Sequence, residues 1–380
     1  MAKGQRNGST ERRSTGRRTT GRGSIETVSA AEAAEKLARL DRQIVGLLNE
    51  RAATELARRR GAVDSESVEE WQCREEARWL DASAGPLGES SLRAILRELR
   101  SGCQALLRPI RVAYLGPAYS YSHQAAVERY GNSAELAAVT TIAGVFEEIR
   151  AGHADFGLVP IENSTDGRIV DTLGMFARYP VRICGEVQLR IHHQLLARCE
   201  RHSIREVVSE PQAVSQCRDW IARHLPGVRV VEMSSTAAAA QSAAEKPGVA
   251  AIASQQAAVN YGLNIVAANI EDNPDNLTRF AVIGGEPPDP CGNDKTALMF
   301  ELAHRPGSLA DAMTVFKSQG LNLTWIESFP MPGTSKEYLF FVELEGHAQE
   351  PKVAKALAAL RNRTVRLEVL GSYPKGAPIA

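Results

Sequence analysis

Apolar residues recur at three- and four-residue spacing early in the chain: Leu37, Leu40, Ile44, Leu47 and Leu48 fall on one stripe, with no β-branched alternation to compete. That period predicts helix. Ser65–Leu80 and Ser90–Leu106 are rich in Glu, Arg, Leu and Ala and are parted by a Gly85-Pro86 turn, so residues 29–107 read as an all-α unit. From Ile110 the pattern changes. Short apolar runs alternate with helical ones, as in Arg111–Leu115, Ser122–Tyr130 and Phe156–Pro160, which predicts an α/β unit at 110–284. Within it, Glu186–Leu195 alternates apolar and polar residues as one half-buried strand does. Three prolines between Gly284 and Asp294 then mark a linker at 285–294. Beyond it, Thr296–Leu302, Leu309–Ser318, Asn322–Ser328, Tyr338–Glu343, Pro351–Leu360 and Val365–Leu370 read strand, helix, strand, strand, helix, strand. This is an α+β, ferredoxin-like unit of the split βαβ kind at 295–374.

A length of 380 residues suits such a multidomain reading, being more than one ordinary core accommodates. Formal charge is zero, with 45 basic and 45 acidic residues, so nothing global points to nucleic acid. The first 23 residues are the exception, carrying seven basic residues against one acidic among Gly, Ser and Thr. Residues 1–28 are predicted to be a disordered basic tail. No apolar run reaches membrane-spanning length or forms a signal-peptide core, which predicts a soluble, cytoplasmic protein without a membrane partner. The six cysteines form no C-x-x-C pair and read as reduced thiols. Adjacent His192 and His193 lack a third ligand at a characteristic spacing, so structural hydrogen bonding is expected of them rather than metal binding.

Four polar clusters interrupt the α/β unit where strands give way to turns or helices. Gly116-Pro117-Ala118-Tyr119-Ser120-Tyr121-Ser122-His123 follows a predicted strand and opens a helix. Its N–H groups and hydroxyls either cap that helix through Ser120 or Ser122 or meet a carboxylate. Pro160-Ile161-Glu162-Asn163-Ser164 ends another strand, where Asn163 and Ser164 either cap a helix running from Gly167 to Phe176 or face a ligand. Ser234-Ser235-Thr236 precedes an alanine-rich helix, and Asn276-Leu277-Thr278-Arg279-Phe280 begins a strand. In an ideal strand Thr278 and Phe280 share one face and Arg279 takes the other.

In their order and wording these clusters resemble prephenate dehydratases, and the resemblance spans about Leu37 to Pro374. It implies a two-lobed, periplasmic-binding-protein-like α/β domain that converts prephenate to phenylpyruvate, carbon dioxide and water, with neither metal nor organic cofactor. Thr278 becomes the catalytic hydroxyl, Arg279 the partner of a substrate carboxylate, Phe280 a wall of the pocket, and Ser120, Asn163, Ser235 and Thr236 residues of the cleft. Tyr119 stands where the family has a second glycine, and Glu210 in Ser209-Glu210-Pro211-Gln212-Ala213 stands where it has a basic residue. The nearest rival substrate is arogenate. A rival of another class is a non-catalytic amino-acid sensor, against which an intact Thr278-Arg279-Phe280 argues.

The flanks extend the resemblance. Leu37–Glu75 is similar to the small helical chorismate mutase fused before such dehydratases, with Arg51, Arg74 and Glu75 matching its site. Ala34, Ala62 and Trp71 depart from it by removing two cations and an acid, which predicts a retained fold with most of the rearrangement rate lost. Residues 295–374 resemble an ACT regulatory domain, in which Pro306, Gly307, Ser308 and Leu309 with Glu327 and Ser328 would hold phenylalanine between paired domains. That implies at least a homodimer. Phe329 replaces the family's arginine, which predicts a weaker phenylalanine response.

Overall fold

The computed structural model describes residues 29–61, 68–165, 167–330 and 338–379. The tail 1–28 and Ala62 lie outside the described residues. Two units, Met1–Thr54 and Glu55–Ala380, are described separately. The first is the leading part of helix α1 (Ala30–Gly61). Ser29 Oγ accepts the Glu32 amide while the Glu32 carboxylate accepts the Ser29 amide, a reciprocal cap that fixes where the helix starts. The apolar stripe expected there is helical, and Leu37, Ile44 and Leu47 on it are exposed.

In the second unit α2 (Val68–Asp81) and α3 (Glu89–Leu107) are joined by Arg100 Nε on Glu75 at 2.7 Å and Arg93 Nε on Glu76 at 2.9 Å. Alternation of strands and helices follows: β1 (Arg111–Leu115), α4 (Tyr121–Tyr130), β2 (Glu135–Val139), α5 (Ile142–Arg150), β3 (Phe156–Asn163), β4 (Gly167–Arg168), α6 (Val170–Arg178) and β5 (Ile183–Arg190). A second group comprises β6 (Gln194–Ala197), β7 (Glu206–Ser209), α7 (Pro211–Gln216), α8 (Arg218–His224), β8 (Arg229–Glu232), α9 (Thr236–Glu245), β9 (Val249–Ala253), α10 (Gln255–Tyr261) and β10 (Asn264–Ala267). The chain then returns through β11 (Leu277–Gly284). The last elements are β12 (Asp294–Glu301), α11 (Ser308–Ser318), β13 (Leu323–Pro330), β14 (Tyr338–Glu345), α12 (Pro351–Arg361), β15 (Arg366–Pro374) and β16 (Pro378–Ile379).

Among the described residues three sheets result. The first runs β16-β5-β11-β3-β1-β2, with β4 paired to β3; the second runs β10-β6-β9-β7-β8; the third runs β13-β14-β12-β15. The chain passes between the first two sheets twice, at 191–193 and at 268–276. Glu186–Leu195 is therefore not one strand. Its two halves are β5 and β6 in different sheets, and residues 191–193 form the passage; both strands are largely buried, so alternation alone did not mark the break. A second correction concerns Gly167. It is no helix start: Asn163 pairs with Gly167 and Glu162 with Arg168 as a hairpin, Gly167 takes φ +83°, and α6 begins after Ile169 without a side-chain cap. Asn163 and Ser164 are thus released from capping.

The third sheet is antiparallel throughout, and its strand β12 is buried on both faces. Alternation along β12 sends Leu298 and Phe300 toward α11 and α12, and Ala297 and Met299 toward the first sheet. On that second face Phe329, Leu339, Phe341 and Tyr373 share one core with Phe146, Leu173, Phe176 and Ile183. The expected linker 285–294 thus joins bodies with a common hydrophobic core, and β12 already begins at Asp294, whose carboxylate accepts the Cys291 and Gly292 amides at 2.9 Å each. The chain end, which the sequence pattern left unassigned, returns as β16 to extend the first sheet along β5.

Contact between β15 and β5 is close enough to be backbone against backbone at Gly371, where a Cβ would collide with the Ile183 carbonyl. Gly371→Ala is expected to destabilise the chain by about 3 kcal/mol through this overpacking, as read by the midpoint of urea unfolding. An unchanged midpoint would mean the two strands have room to part.

Candidate active site

The return strand β11 begins beside the end of β3, with Thr278 in register with Asn163. Asn163 Nδ2 donates to Thr278 Oγ1 at 2.8 Å, and its Oδ1 accepts the Thr165 amide at 2.9 Å. Thr278 is 9% exposed. A hydroxyl that has accepted a hydrogen bond from an amide is left to donate its own proton elsewhere.

Polar contacts continue from there across both passages. Thr165 Oγ1 donates to Asn276 Oδ1 at 3.2 Å, and Asn276 Nδ2 to Gln216 Oε1 at 2.9 Å. That same Gln216 oxygen lies 2.8 Å from His193 Nε2, while His193 Nδ1 lies 2.8 Å from the Tyr121 hydroxyl. Because the Gln216 oxygen only accepts, His193 carries its proton on Nε2 and leaves Nδ1 as an acceptor for the Tyr121 hydroxyl, whose one proton is shared with the His192 carbonyl at 3.1 Å. Glu271 accepts the His193 amide at 2.9 Å and holds His192 Nδ1 at 2.7 Å. The histidines thus have the structural hydrogen bonds expected of them. A cavity of about 130 Å³ adjoins this chain of contacts, lined by Thr165, Ser215, Gln216, Asp272, Asn273 and Asn276.

Ser120 and Ser235 are the N-caps of α4 and α9, in the turns that follow β1 of the first sheet and β8 of the second. Ser120 Oγ caps α4 by accepting the His123 amide at 3.3 Å, and Ser235 Oγ caps α9 by accepting the Ala238 amide at 3.1 Å. Thr236 is buried in the first turn of α9. Tyr119 takes φ +66°, the left-handed backbone a glycine adopts freely, at a cost of about 1 kcal/mol for an L-residue. Its carbonyl accepts from Ser254 Oγ at 3.3 Å, and its ring meets the edges of His123 and Tyr261 at 5.3 and 6.2 Å. The turn keeps a glycine-like path, and the added ring sits between His123 on α4 and Tyr261 on α10. Glu210 precedes α7, and burial pushes its carboxyl above the usual range.

Strict alternation along β11 corrects two expected roles. Phe280 lies on the face of Thr278 but is fully buried among Tyr114, Leu158, Val187 and Leu189, so it is core and not an open pocket wall. Arg279 turns to the opposite face. Its Nη1 donates to Glu162 at 2.7 Å, and its Nη2 to Glu186 at 2.9 Å and to Glu343 at 2.8 Å. Three carboxylates of the protein therefore occupy the guanidinium expected to meet a substrate carboxylate. Lys295 Nζ reaches Glu186 at 3.2 Å, and the Tyr373 hydroxyl donates to Glu343 at 2.8 Å. Burial pushes the Glu186 carboxyl up, but Arg279 and Lys295 outweigh it and hold it below the usual carboxylate range. Burial and Glu343 raise the Tyr373 phenol well above its ordinary value.

Of the helical-unit candidates, Glu75 is buried and accepts Arg100 Nε. The Arg74 side chain lies outside the described part, and Arg51 is half-buried in the other unit. Near the C terminus Gly307 takes φ +86° ahead of α11, Ser308 Oγ is buried with no partner among the described residues, and Leu309 is partly exposed. Pro306 precedes that turn, and Glu327 and Ser328 lie on β13, the outer strand of its sheet. Phe329 faces the shared core, opposite to the exposed Ser328.

The sequence pattern of the prephenate dehydratase family matches residues 112–288. A bifunctional chorismate mutase/prephenate dehydratase of Aquifex aeolicus is 41% identical over 90% of this chain and 97% of its own. The structure of a prephenate dehydratase from Arthrobacter aurescens in complex with L-Phe is 36% identical, covering 70% of this chain and 90% of its own, with TM-score 0.66. GqqA, described as a novel type of quorum quenching acylase, is 30% identical over 70% of this chain and 97% of its own, with TM-score 0.64. The chain belongs to the bifunctional chorismate mutase/prephenate dehydratase family.

The sequence pattern does not mark Tyr121, Thr165, His193 and Gln216 as site residues, because helix- or strand-forming context gives them no separate signal. Burial holds the His193 imidazole below its usual value, against the opposing pull of Gln216 and Glu271. In the unfolded chain the ring titrates near 6.5. Below that pH the unfolded state binds a proton that the native state refuses, so stability is expected to fall as pH drops from about 7.5 to about 5.5. Urea midpoints across that range should drop less for His193→Gln; an identical pH slope would mean that His193 protonates freely in the native state.

Proposed function

We propose that the chain turns prephenate into phenylpyruvate, with Thr278 placed at the departing hydroxyl. The observation that carries this reading is the 2.8 Å hydrogen bond from Asn163 to Thr278 Oγ1, which leaves the threonine proton as a donor. As the ring carboxylate leaves as carbon dioxide, the electrons of its C–C bond enter the ring and the C–O bond breaks. The ring becomes aromatic, and the oxygen departs with developing negative charge. Threonine is too weak an acid to surrender its proton fully, so Thr278 acts through a hydrogen bond that strengthens as that charge grows. Water is completed by a proton from solvent. With Arg279 occupied, the substrate carboxylates fall to the N–H groups opening α4 and α9, at Ser120 and at Ser235 with Thr236.

The double passage between the first two sheets supports a two-lobed, periplasmic-binding-protein-like domain at 110–284 that closes on its substrate. The βαββαβ order and the 4-1-3-2 arrangement of the third sheet support an ACT domain at 295–374. In this reading phenylalanine binds at Pro306, Gly307, Ser308 and Leu309 with Glu327 and Ser328, at the outer edge where a second copy pairs. The relative crystallised with L-Phe supports it. The α1–α3 segment is the mutase-like domain, and its exposed stripe at Leu37, Ile44 and Leu47 favours an oligomer. No helix among the described residues is long and apolar enough to cross a membrane.

Thr278→Ala is expected to lower kcat for prephenate about 100-fold with little change in KM. Since Thr278 is buried and bonded to Asn163, the variant should also lose about 1–2 kcal/mol of stability. Turnover equal to that of the parent chain would remove Thr278 from the mechanism, and faster turnover of arogenate than of prephenate would change the substrate. For the effector site, Gly307→Ala forces a side chain into a left-handed turn. It should shift the phenylalanine inhibition curve about tenfold toward weaker binding; an unshifted curve would place the effector elsewhere.

A further inference from the structure

Arg279 and Thr278 are consecutive on β11, so their Cα atoms are a fixed ~3.8 Å apart and neither moves without the other. Thr278 faces Asn163, whereas Arg279 reaches into a cluster drawn from two sheets. Glu162 on β3 and Glu186 on β5 flank it within its own sheet, and Glu343 on β14 and Lys295 on β12 come from the third. Side chains of Glu186 and Glu343 are fully buried, and Arg279 with Lys295 balances their charge. Glu162, with its side chain 31% exposed, keeps one edge in solvent. A buried ion cluster adds little stability over apolar packing, yet separating its partners strands charges in a dry core. It therefore tolerates few intermediate geometries. Such a cluster transmits displacement instead of absorbing it.

The third sheet links the cluster to the effector loop. Glu343 pairs in register with Trp325, three residues before Ser328 on β13, and the Trp325 ring lies 5.5 Å from the Arg279 guanidinium. Beyond β15 the chain returns so that the Gly376 amide donates to Glu186 at 2.8 Å, and β16 pairs along β5 toward the passage at 191–193. Of the partners of Arg279, Glu186 is thus gripped by C-terminal elements and Glu343 belongs to one. Resting on the dehydratase and effector reading above, we propose that Arg279 is a positioning residue: through Glu343, Glu186 and Lys295 it carries the state of the C-terminal sheet to Thr278. Phenylalanine at the sheet edge alters turnover by shifting β14 and, with it, the start of β11.

The test uses the full-length chain with prephenate as substrate and phenylalanine as effector. Glu343→Gln keeps the shape and the acceptor for Tyr373 but removes one charge. It is expected to lower kcat about threefold with KM unchanged, and to reduce by at least about fivefold the factor by which saturating phenylalanine changes kcat/KM. Phenylalanine binding measured by calorimetry in the absence of substrate should remain. Should Glu343→Gln fail to fold, Glu343→Gln with Lys295→Gln removes one charge of each sign and should show the same loss of coupling. A merely structural cluster predicts lower thermal stability with the phenylalanine factor intact, and that outcome overturns the relay. A raised KM with coupling intact would return Arg279 to substrate binding and overturn it equally. Absence of any phenylalanine effect in the parent chain would instead overturn the effector reading on which the relay rests.

Discussion

A β-strand has two faces, and β11 carries different chemistry on each. Its central position between β3 and β5 pairs both its edges, and the layers packed above and below bury both its faces. On one side Thr278 and Phe280 meet Asn163 and an apolar core; on the other Arg279 needs anions, because a guanidinium in a dry interior is tolerable only when paired. The glutamates that satisfy it come from two sheets. Packing of the third sheet against the first is therefore tied to the same strand that presents the Thr278 hydroxyl.

Two kinds of contact join the C-terminal sheet to the first. The apolar one, Phe329 and Phe341 against Leu173 and Phe176, supplies most of the free energy, at roughly 25 cal/mol for each Å² removed from water. The ionic one supplies geometry. Buried charges must keep their particular partners within reach, whereas apolar burial is non-directional. A body attached by both is held firmly and in one register.

Polar contacts through the two passages have a comparable role around Thr278. Tyr121, His193, Gln216, Asn276, Thr165, Asn163 and Thr278 are linked one to the next. Gln216 decides which nitrogen of His193 bears the proton, and Asn163 decides which way the Thr278 hydroxyl is used. Such chains polarise along their length in a low-dielectric interior, so losing one member affects its neighbours.

Periodicity in the sequence determined much of this. Helical spacing at Leu37, Leu40 and Ile44, α/β alternation after Ile110, and the strand-helix order after Thr296 all depend on local geometry that each segment carries by itself. The motif residues were legible for the same reason, and alternation alone already set Arg279 opposite Thr278. Tertiary structure decided where those faces point. Glu186 and Leu195 look like one strand because burial on both faces erases the signal of a break, and only the sheets show β5 and β6 parting at Ile191. Arg279 reads as a ligand for substrate until Glu343, 64 residues downstream, arrives from another sheet to occupy it. Contacts between residues so far apart along the chain leave no mark in local spacing. Charge satisfaction in the interior is settled by whichever partners the fold brings within reach.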